Sequence, residues 1–347
     1  MFNGKYFFHY IFAFCLIIIL SYVGNKYKET ITSKDEEYKL IQKYLLNDSP
    51  LYGMNKPKIW IHSKYETNAR KWKDFHSRNN TNLNQPYIHY TVQSIINRCG
   101  NDFHICLIDD DSFQRLIPGW EIDVFNLAEP MKSNFRKIAM IEILHIYGGF
   151  IVPNSFVCMK NLKSLYEKET RFGFPFVCET INRTENLEKY KHRNAFIPNI
   201  EMLGSPKNNS YIFELLNFMK EQNNKMDFTN ENDFLGKISV FLNEKIKQTK
   251  INLVGGEKIG IKDIKKKPIL IDDLFEDKYL NLDKDCYGLL IPREEILKRH
   301  KYSWFSYLNK NDVLKAKSAI VKYLKQSVMN DNNEYYKSSV ISTVTSV

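Results

Sequence analysis

The sequence predicts an α/β fold built around a mainly parallel sheet, and three observations support this prediction. First, short apolar segments that suit buried strands, such as Lys58–His62 and Phe103–Ile108, alternate with longer segments of helical periodicity. Second, the strongest helical segment, Pro130–Ile146, leads through the pair Gly148-Gly149 into the apolar segment Phe150–Val152. Third, no internal repeat replaces this alternation, which is typical of parallel sheets covered by helices.

The chain is long enough for one large domain with additions, because its 347 residues are 43% hydrophobic. Residues 6–23 form an apolar run that as a helix would be about 27 Å long, enough to span a bilayer. We therefore predict a membrane anchor over 1–25, a stalk over 26–55, a compact domain over 56–327 and a flexible tail over 328–347. A cleaved signal peptide is the alternative for the first segment, although no small-x-small cleavage pattern follows it. Lysines flank the run on both sides, so this single-pass membrane protein has no predicted orientation.

The remaining elements follow from the same periodicities and from the turn residues between them. Helices are predicted at Tyr87–Asn97, in a short segment from Ser112, and at Met159–Lys168, Ser210–Glu221, Asp233–Lys247 and Asp312–Ser327. Strands are predicted at Gly173–Cys178, Ile197–Leu203, Ile269–Leu274 and Gly288–Ile291. Residues 64–85 show no clear period and predict a long polar loop, a feature that suggests a binding loop or lid. Trp60 and Trp304 are predicted to be core residues.

Charge and cysteine content narrow the classes of partner. The formal net charge is +10, but the basic residues are dispersed, so the sequence favours acidic partners such as phosphates or anionic lipid heads only weakly. Nucleic acid is not a predicted partner, because no basic block alternates with aromatic residues. The six cysteines form no Cys-x-x-Cys pair and suit reduced core positions in a reducing compartment. Four Asn-x-Ser/Thr sequons, the acceptor sites for glycosylation in secreted proteins, indicate a secretory compartment instead.

One acidic pair ends a predicted strand. Asp109-x-Asp111 follows Phe103–Ile108, at the carboxyl end of a strand, where open α/β sheets bind their ligands. These aspartates are therefore candidate catalytic or donor-contacting residues. The alternative is that an aspartate caps the helix that begins at Ser112. Asp272-Asp273 is a weaker carboxylate pair, and the sequence contains no Walker loop, no Gly-x-Gly-x-x-Gly and no Ser-His-Asp order.

The order of motifs along the chain resembles a known family. The motifs are the first strand with Lys58-Ile-Trp60, the helix with Ser133-Asn134-x-Arg136, the turn Tyr147-Gly148-Gly149, and His300-x-x-Ser303-Trp304. Together they resemble the sugar-binding Asp-x-Asp glycosyltransferases of family 32 and the capsular polysaccharide synthesis proteins. The resemblance covers roughly residues 56–305. It implies a GT-A fold, a nucleotide-sugar donor and a glycan or glycolipid acceptor.

The resemblance also implies the residues of a site. It places donor contacts at Asn134, Arg136, Tyr147, Gly148, Gly149 and Ser155. It places His300 where the family holds the metal or the diphosphate, so His300 joins Asp109 and Asp111 as a predicted catalytic residue. The glycines suit this role because they let the backbone turn tightly and approach the donor.

The acidic residues of the family motif are missing. The family carries Asp-x-Asp at the end of the strand after the glycine turn, and these carboxylates hold Mn or Mg against the sugar diphosphate. This chain has Pro153 and Ser155 at those positions, so the cofactor is not assigned. Two hypotheses follow: a membrane-anchored hexosyltransferase, or a degenerate fold that serves as a membrane-bound binding or structural module. Convergence of Asp109, Asp111, Arg136 and His300 on one pocket would favour the enzyme.

Overall fold

A computed structural model describes most of the predicted domain. The described residues are 56–63, 85–182, 194–225 and 231–329. They belong to one compact unit of the chain, Gly53–Val347. Within these ranges no helix is long and apolar enough to cross a membrane. The predicted anchor over 1–25, the stalk, the loop at 64–84 and the tail from 330 onward fall outside the described residues and stay predictions.

The main sheet of the described region is mixed and mainly parallel. From one edge to the other its strands are β2 (His104–Ile108), β1 (Lys58–His62), β3 (Gly149–Ile151), β6 (Phe196–Ser205), β5 (Phe176–Ile181) and β7 (Asn252–Val254). β1 pairs in parallel with β2 and β3, and β5 pairs in parallel with β7. β6 runs antiparallel to β3 and β5. A second, two-stranded antiparallel sheet joins β4 (Phe156–Cys158) to β8 (Gly288–Leu290).

Helices cover the sheet. In chain order, the described α-helices are α1 (Tyr87–Cys99), α2 (Ser112–Leu116), α3 (Met131–Tyr147), α4 (Lys163–Thr170), α5 (Ser210–Asn224), α6 (Glu231–Lys247), α7 (Ile271–Phe275), α8 (Arg293–Lys298), α9 (His300–Ser306), α10 (Lys310–Val313) and α11 (Ala319–Met329). Short 3₁₀ turns occur at Val124–Asn126 and Gly256–Ile259. α3 buries apolar residues from Ile138 to Leu144 against α5, α6 and the sheet. This apolar face explains why the helical prediction was strongest there.

The turn from α3 into β3 requires both of its glycines. Gly148 has φ 67° and Gly149 has φ 110°, a region that side chains with a β-carbon rarely adopt. A β-carbon at Gly148 would lie 2.6 Å from the backbone nitrogen of Lys207. One at Gly149 would lie closer than 3.0 Å to the carbonyl oxygen of Lys58 in the neighbouring β1. The glycine pair therefore allows the chain to enter the sheet next to β1.

Two tryptophans predicted to be buried have different environments. Trp60 is 1% exposed, and its indole nitrogen donates a hydrogen bond of 2.8 Å to the carbonyl oxygen of Gly148. This prediction is confirmed. Trp304 is 44% exposed, and its ring makes T-shaped contacts with Phe275 and Phe305. The core prediction for Trp304 was therefore wrong.

The predicted strand at Ile269–Leu274 is also wrong, because residues 271–275 form the helix α7. Ile271 and Leu274 are buried three positions apart, which is helical spacing. The carboxylate of Asp273 accepts a hydrogen bond of 3.0 Å from the backbone nitrogen of Leu270 and so closes the first turn. Short apolar runs do not separate strand from helix by periodicity, and the two aspartates that stabilise the helix start were the missed signal.

The predicted C-terminal helix at Asp312–Ser327 is two helices, α10 and α11. Ser318 lies between them, and its hydroxyl oxygen accepts a hydrogen bond of 3.3 Å from the backbone nitrogen of Val321. Such a bond starts a new helix rather than continuing the old one.

Candidate functional site

A cavity of about 660 Å³ opens at the carboxyl ends of β1 and β3. His62, the last residue of β1, lines it, and so do residues 152–155, which follow β3. Further walls come from α3, the end of β5, β6, α7 and the turn between β8 and α8. Open α/β sheets bind ligands at this edge, and the volume lies within the roughly 300–1,000 Å³ of small-molecule sites.

The turn Pro153–Ser155 forms part of the cavity wall. Asn154 and Ser155 are each 3% exposed. The hydroxyl of Thr91 in α1 donates to the carbonyl oxygen of Asn154. The carbonyl oxygen of Ser155 accepts a hydrogen bond of 3.2 Å from the backbone nitrogen of Ile291. The turn is thus held from two sides, by α1 and by the segment that follows β8.

Arg293, the first residue of α8, reaches this turn. Its Nη1 donates a hydrogen bond of 2.9 Å to the side-chain oxygen of Asn154, and its Nε lies 3.3 Å from a carboxylate oxygen of Glu294. The side chain is 20% exposed and lines the cavity. No sequence pattern singles out Arg293, because only its position after the predicted strand at Gly288–Ile291 distinguishes it from other surface arginines.

A second charged cluster lies at the ends of β1, β2 and α3, and its members His62 and Arg136 line the cavity. The guanidinium of Arg136 donates to both oxygens of Asp110, with Nε at 2.9 and 3.1 Å and Nη2 at 2.6 Å. Nε2 of His62 lies 3.0 Å from Oδ1 of the same carboxylate, and the His62 ring stacks on Phe113. Glu142, also on α3, pairs with Lys220 at 2.9 Å.

The environment of Asp110 favours its ionised form. Burial raises the pKa of its carboxyl, but hydrogen bonds from His62 and Arg136 outweigh burial and bring the pKa well below its usual value. The Arg136 and Asp110 side chains are only 6% and 16% exposed, so each charge depends on the other for its compensation.

Of the residues predicted to contact a donor, Arg136 and Ser155 line the cavity. Asn134 does not: it is fully buried, and its side-chain nitrogen donates to Asn223 at 3.1 Å. Tyr147 donates its hydroxyl to the carbonyl oxygen of Leu116 at 2.8 Å. Gly148 and Gly149 lie at the amino end of β3, whereas the cavity lies at its carboxyl end.

The three predicted catalytic residues do not line the cavity either. The Oδ1 of Asp109 accepts a 2.9 Å hydrogen bond from the backbone nitrogen of Ser112, the first residue of α2. Asp111 and His300 are exposed, and His300 begins α9. The acid that joins Arg136 is their neighbour Asp110, so the convergence of Asp109, Asp111, Arg136 and His300 that would favour the enzyme is not observed. A catalytic role for these three residues stays a prediction.

The residues at the turn do not fit a cage for Mn or Mg. Such ions take several oxygen ligands, usually including carboxylates. Pro153 offers no side-chain oxygen, and the side-chain oxygen of Asn154 already accepts from Arg293. The Ser155 hydroxyl is then the remaining side-chain oxygen of the turn. In the described ranges, no group of three or more His, Cys, Asp or Glu side chains is arranged to hold a metal ion.

The cavity brings cations and carboxylates together. The cationic residues in its lining are Arg136, Lys137, Arg293, Lys298 and Arg299, and the acidic residues are Glu201, Asp272, Glu294 and Glu295. Cations can compensate a phosphorylated ligand, and an ionised carboxylate can accept a proton. A hydrogen bond from Lys301 lowers the pKa of the Asp272 carboxyl, and the hydroxyl of Tyr302 donates to the same group.

Comparisons with known proteins find similar solved structures but no similar sequence. No protein-family profile matches the chain, and no curated protein sequence matches it. Among solved structures it is similar to the PaToxG glycosyltransferase, with 14% identity over 66% of this chain and 86% of that chain and a TM-score of 0.29. It is also similar to the galactosyltransferase LgtC in complex with donor and acceptor sugar analogues, with 10% identity over 58% of this chain and 74% of that chain and a TM-score of 0.31. An active-site mutant of LgtC gives 12% identity, coverages of 58% and 73%, and a TM-score of 0.31.

Proposed function

We propose that the cavity binds a nucleotide-sugar donor and that the protein transfers the sugar to a glycan or glycolipid acceptor. The observation that supports this function most directly is the mixed lining of the cavity. Cations and carboxylates lie together at the carboxyl edge of the sheet, around the turn that follows β3. Arg136 and Ser155 belong to this lining, so the donor contacts predicted for them are part of the proposal.

The reaction would use both kinds of side chain. Transfer breaks the bond between the anomeric carbon and the diphosphate oxygen, and the diphosphate leaves with the electron pair. A new bond forms to the acceptor hydroxyl oxygen, whose proton passes to a carboxylate. Preorganised cations next to the leaving diphosphate stabilise the charge that develops in the transition state. Glu201, Asp272, Glu294 and Glu295 are the carboxylates in reach of the cavity.

A second candidate function is a binding module that has lost catalysis. Pro153 supports it, because proline cannot supply the ligand that aspartate gives in the resembling family. In this case the cavity would still bind a nucleotide sugar, but no sugar would be transferred. The two functions therefore differ in turnover and not in donor binding.

Calorimetric titration of the detergent-solubilised full-length chain with a panel of nucleotide sugars tests the proposal. We expect saturable binding of one donor, in EDTA as well as with manganese, and release of the free nucleoside diphosphate when an acceptor glycan is added. Binding without any release would identify the module. No binding of any member of the panel at millimolar concentration would show that the transferase and the binding module are both wrong, and would leave the degenerate fold as a structural module.

We further propose that residues 1–25 anchor the protein in a membrane as a single span, on the basis of the apolar run at 6–23. Full-length protein should then sediment with membranes and resist carbonate extraction, and deletion of residues 1–25 should release it into the soluble fraction. Sequencing of the mature amino terminus is the control. A mature protein that begins near residue 24 would establish a cleaved signal peptide instead.

A further inference from the structure

We infer that Arg293 binds the diphosphate of the donor, at the turn where the resembling family holds its metal ion. Donor binding in this protein then requires no divalent cation. The inference rests on the proposed function and adds to it the residue that recognises the phosphate groups.

The position of Arg293 is fixed by the pairing of β4 with β8 and by a contact to Asn154. The antiparallel pairing of β4 with β8 places Ile291 opposite Ser155, two residues before Arg293. The guanidinium then reaches back and donates to the Asn154 side chain. A cation is therefore held in hydrogen-bond contact with the turn Pro153–Ser155. β4 follows this turn directly and β8 lies shortly before Arg293, so the pairing of the two strands brings both partners of the contact together.

The geometry leaves part of the guanidinium available to a ligand. An arginine side chain has five N–H donors arranged in a planar fork that matches phosphate oxygens. The contacts to Asn154 and Glu294 use Nη1 and Nε. Among the described residues, Nη2 of Arg293 has no hydrogen-bond partner. The Arg293 side chain is 20% exposed and lies in the cavity wall.

A charge comparison supports the replacement. Two carboxylates and one divalent cation sum to a net charge of zero. Pro153 and Ser155 carry no charge, and Arg293 contributes one positive charge at the same turn. Glu294 offsets this charge in part, and its side chain is 45% exposed. Arginine stays protonated at all physiological pH values, so its contribution does not depend on metal supply.

The test compares nucleotide binding by the full-length protein and its variants, with UDP and GDP as probes in EDTA. Each charge-assisted hydrogen bond contributes about 1.5–3 kcal/mol, which corresponds to roughly a 10- to 150-fold change in affinity. Arg293→Gln should therefore weaken binding of the preferred diphosphate by about this factor. Arg293→Lys should lose less affinity for the diphosphate, because lysine keeps the positive charge but lacks the planar arrangement of N–H donors. Affinity for the parent nucleoside, uridine or guanosine, should not change in either variant.

Arg171→Gln is the matched control, because it removes one positive charge from an exposed position outside the cavity lining. It should leave all affinities unchanged. The inference is overturned if Arg293→Gln binds the diphosphate as wild type does, if it loses nucleoside and diphosphate equally, or if EDTA abolishes wild-type binding. In those cases the proposal that the cavity binds a nucleotide-sugar donor is unaffected. Wild-type protein that binds no nucleotide sugar at all would remove the proposed function and this inference with it.

Discussion

Replacement of Asp110 with alanine is expected to destabilise the fold by about 3–5 kcal/mol, the usual loss when one partner of a buried ion pair is removed. Arg136 would lose its bidentate partner while only 6% of its side chain is exposed, and His62 would lose the same carboxylate. Chemical denaturation monitored by circular dichroism measures the loss. The neighbouring Asp111 is exposed, so Asp111→Ala should stay within about 0.5 kcal/mol of wild type.

The same pair predicts a pH dependence with a definite sign. The pKa of the Asp110 carboxyl is lower in the folded protein than in the unfolded chain. Its contribution to the free energy of unfolding is therefore complete above the unfolded pKa of about 3.9 and is lost as the pH falls through the folded pKa. The stability difference between wild type and Asp110→Ala should shrink below pH ~4. Equal stability of the two proteins at neutral pH would contradict the buried pair.

Replacement of Gly149 with alanine should also destabilise the protein strongly. A positive φ costs a residue with a β-carbon about 1–3 kcal/mol, and overpacking adds about 1–3 kcal/mol. The β-carbon would meet the backbone of Lys58 in the adjacent strand, which cannot move without disturbing the sheet. We therefore expect a loss of roughly 2–6 kcal/mol in the free energy of unfolding.

Gly173 provides the control for this variant. It has φ 79°, but a β-carbon there would meet nothing within 4 Å. Gly173→Ala should therefore show the conformational cost alone, about 1–3 kcal/mol. If the two alanine variants lose the same stability, the close approach of Gly149 to β1 does not contribute.

The sequence predicted the elements that bury a continuous apolar face. Lys58–His62 has the bounds of β1, and Pro130–Ile146 differs from α3 by one residue at each end. Periodicity is informative in such segments because burial on one face selects it. Periodicity is not informative for β7, because this strand has only three residues. It is not informative for α7 either, because polar capping decides the conformation there.

The site was less predictable, because it depends on contacts between distant parts of the chain. Arg293 and Asn154 are 139 positions apart, and only the pairing of β4 with β8 brings them together. Likewise, the acidic residue that pairs with Arg136 is Asp110, which lies between the two aspartates that the Asp-x-Asp spacing selects. The Asp-x-Asp spacing locates the end of a strand. Which of the aspartates there turns toward the protein interior depends on its pairing partner, here Arg136 on α3.

The most direct test of the central claim is a crystal structure of the protein with a nucleoside diphosphate sugar. We expect the nucleotide in the cavity at the carboxyl ends of β1 and β3, with its diphosphate beside the turn Pro153–Ser155. The guanidinium of Arg293 should lie within hydrogen-bonding distance of a phosphate oxygen, with the crystals grown in EDTA. A nucleotide bound elsewhere on the protein, or a diphosphate held by a metal ion and distant from Arg293, would contradict the account.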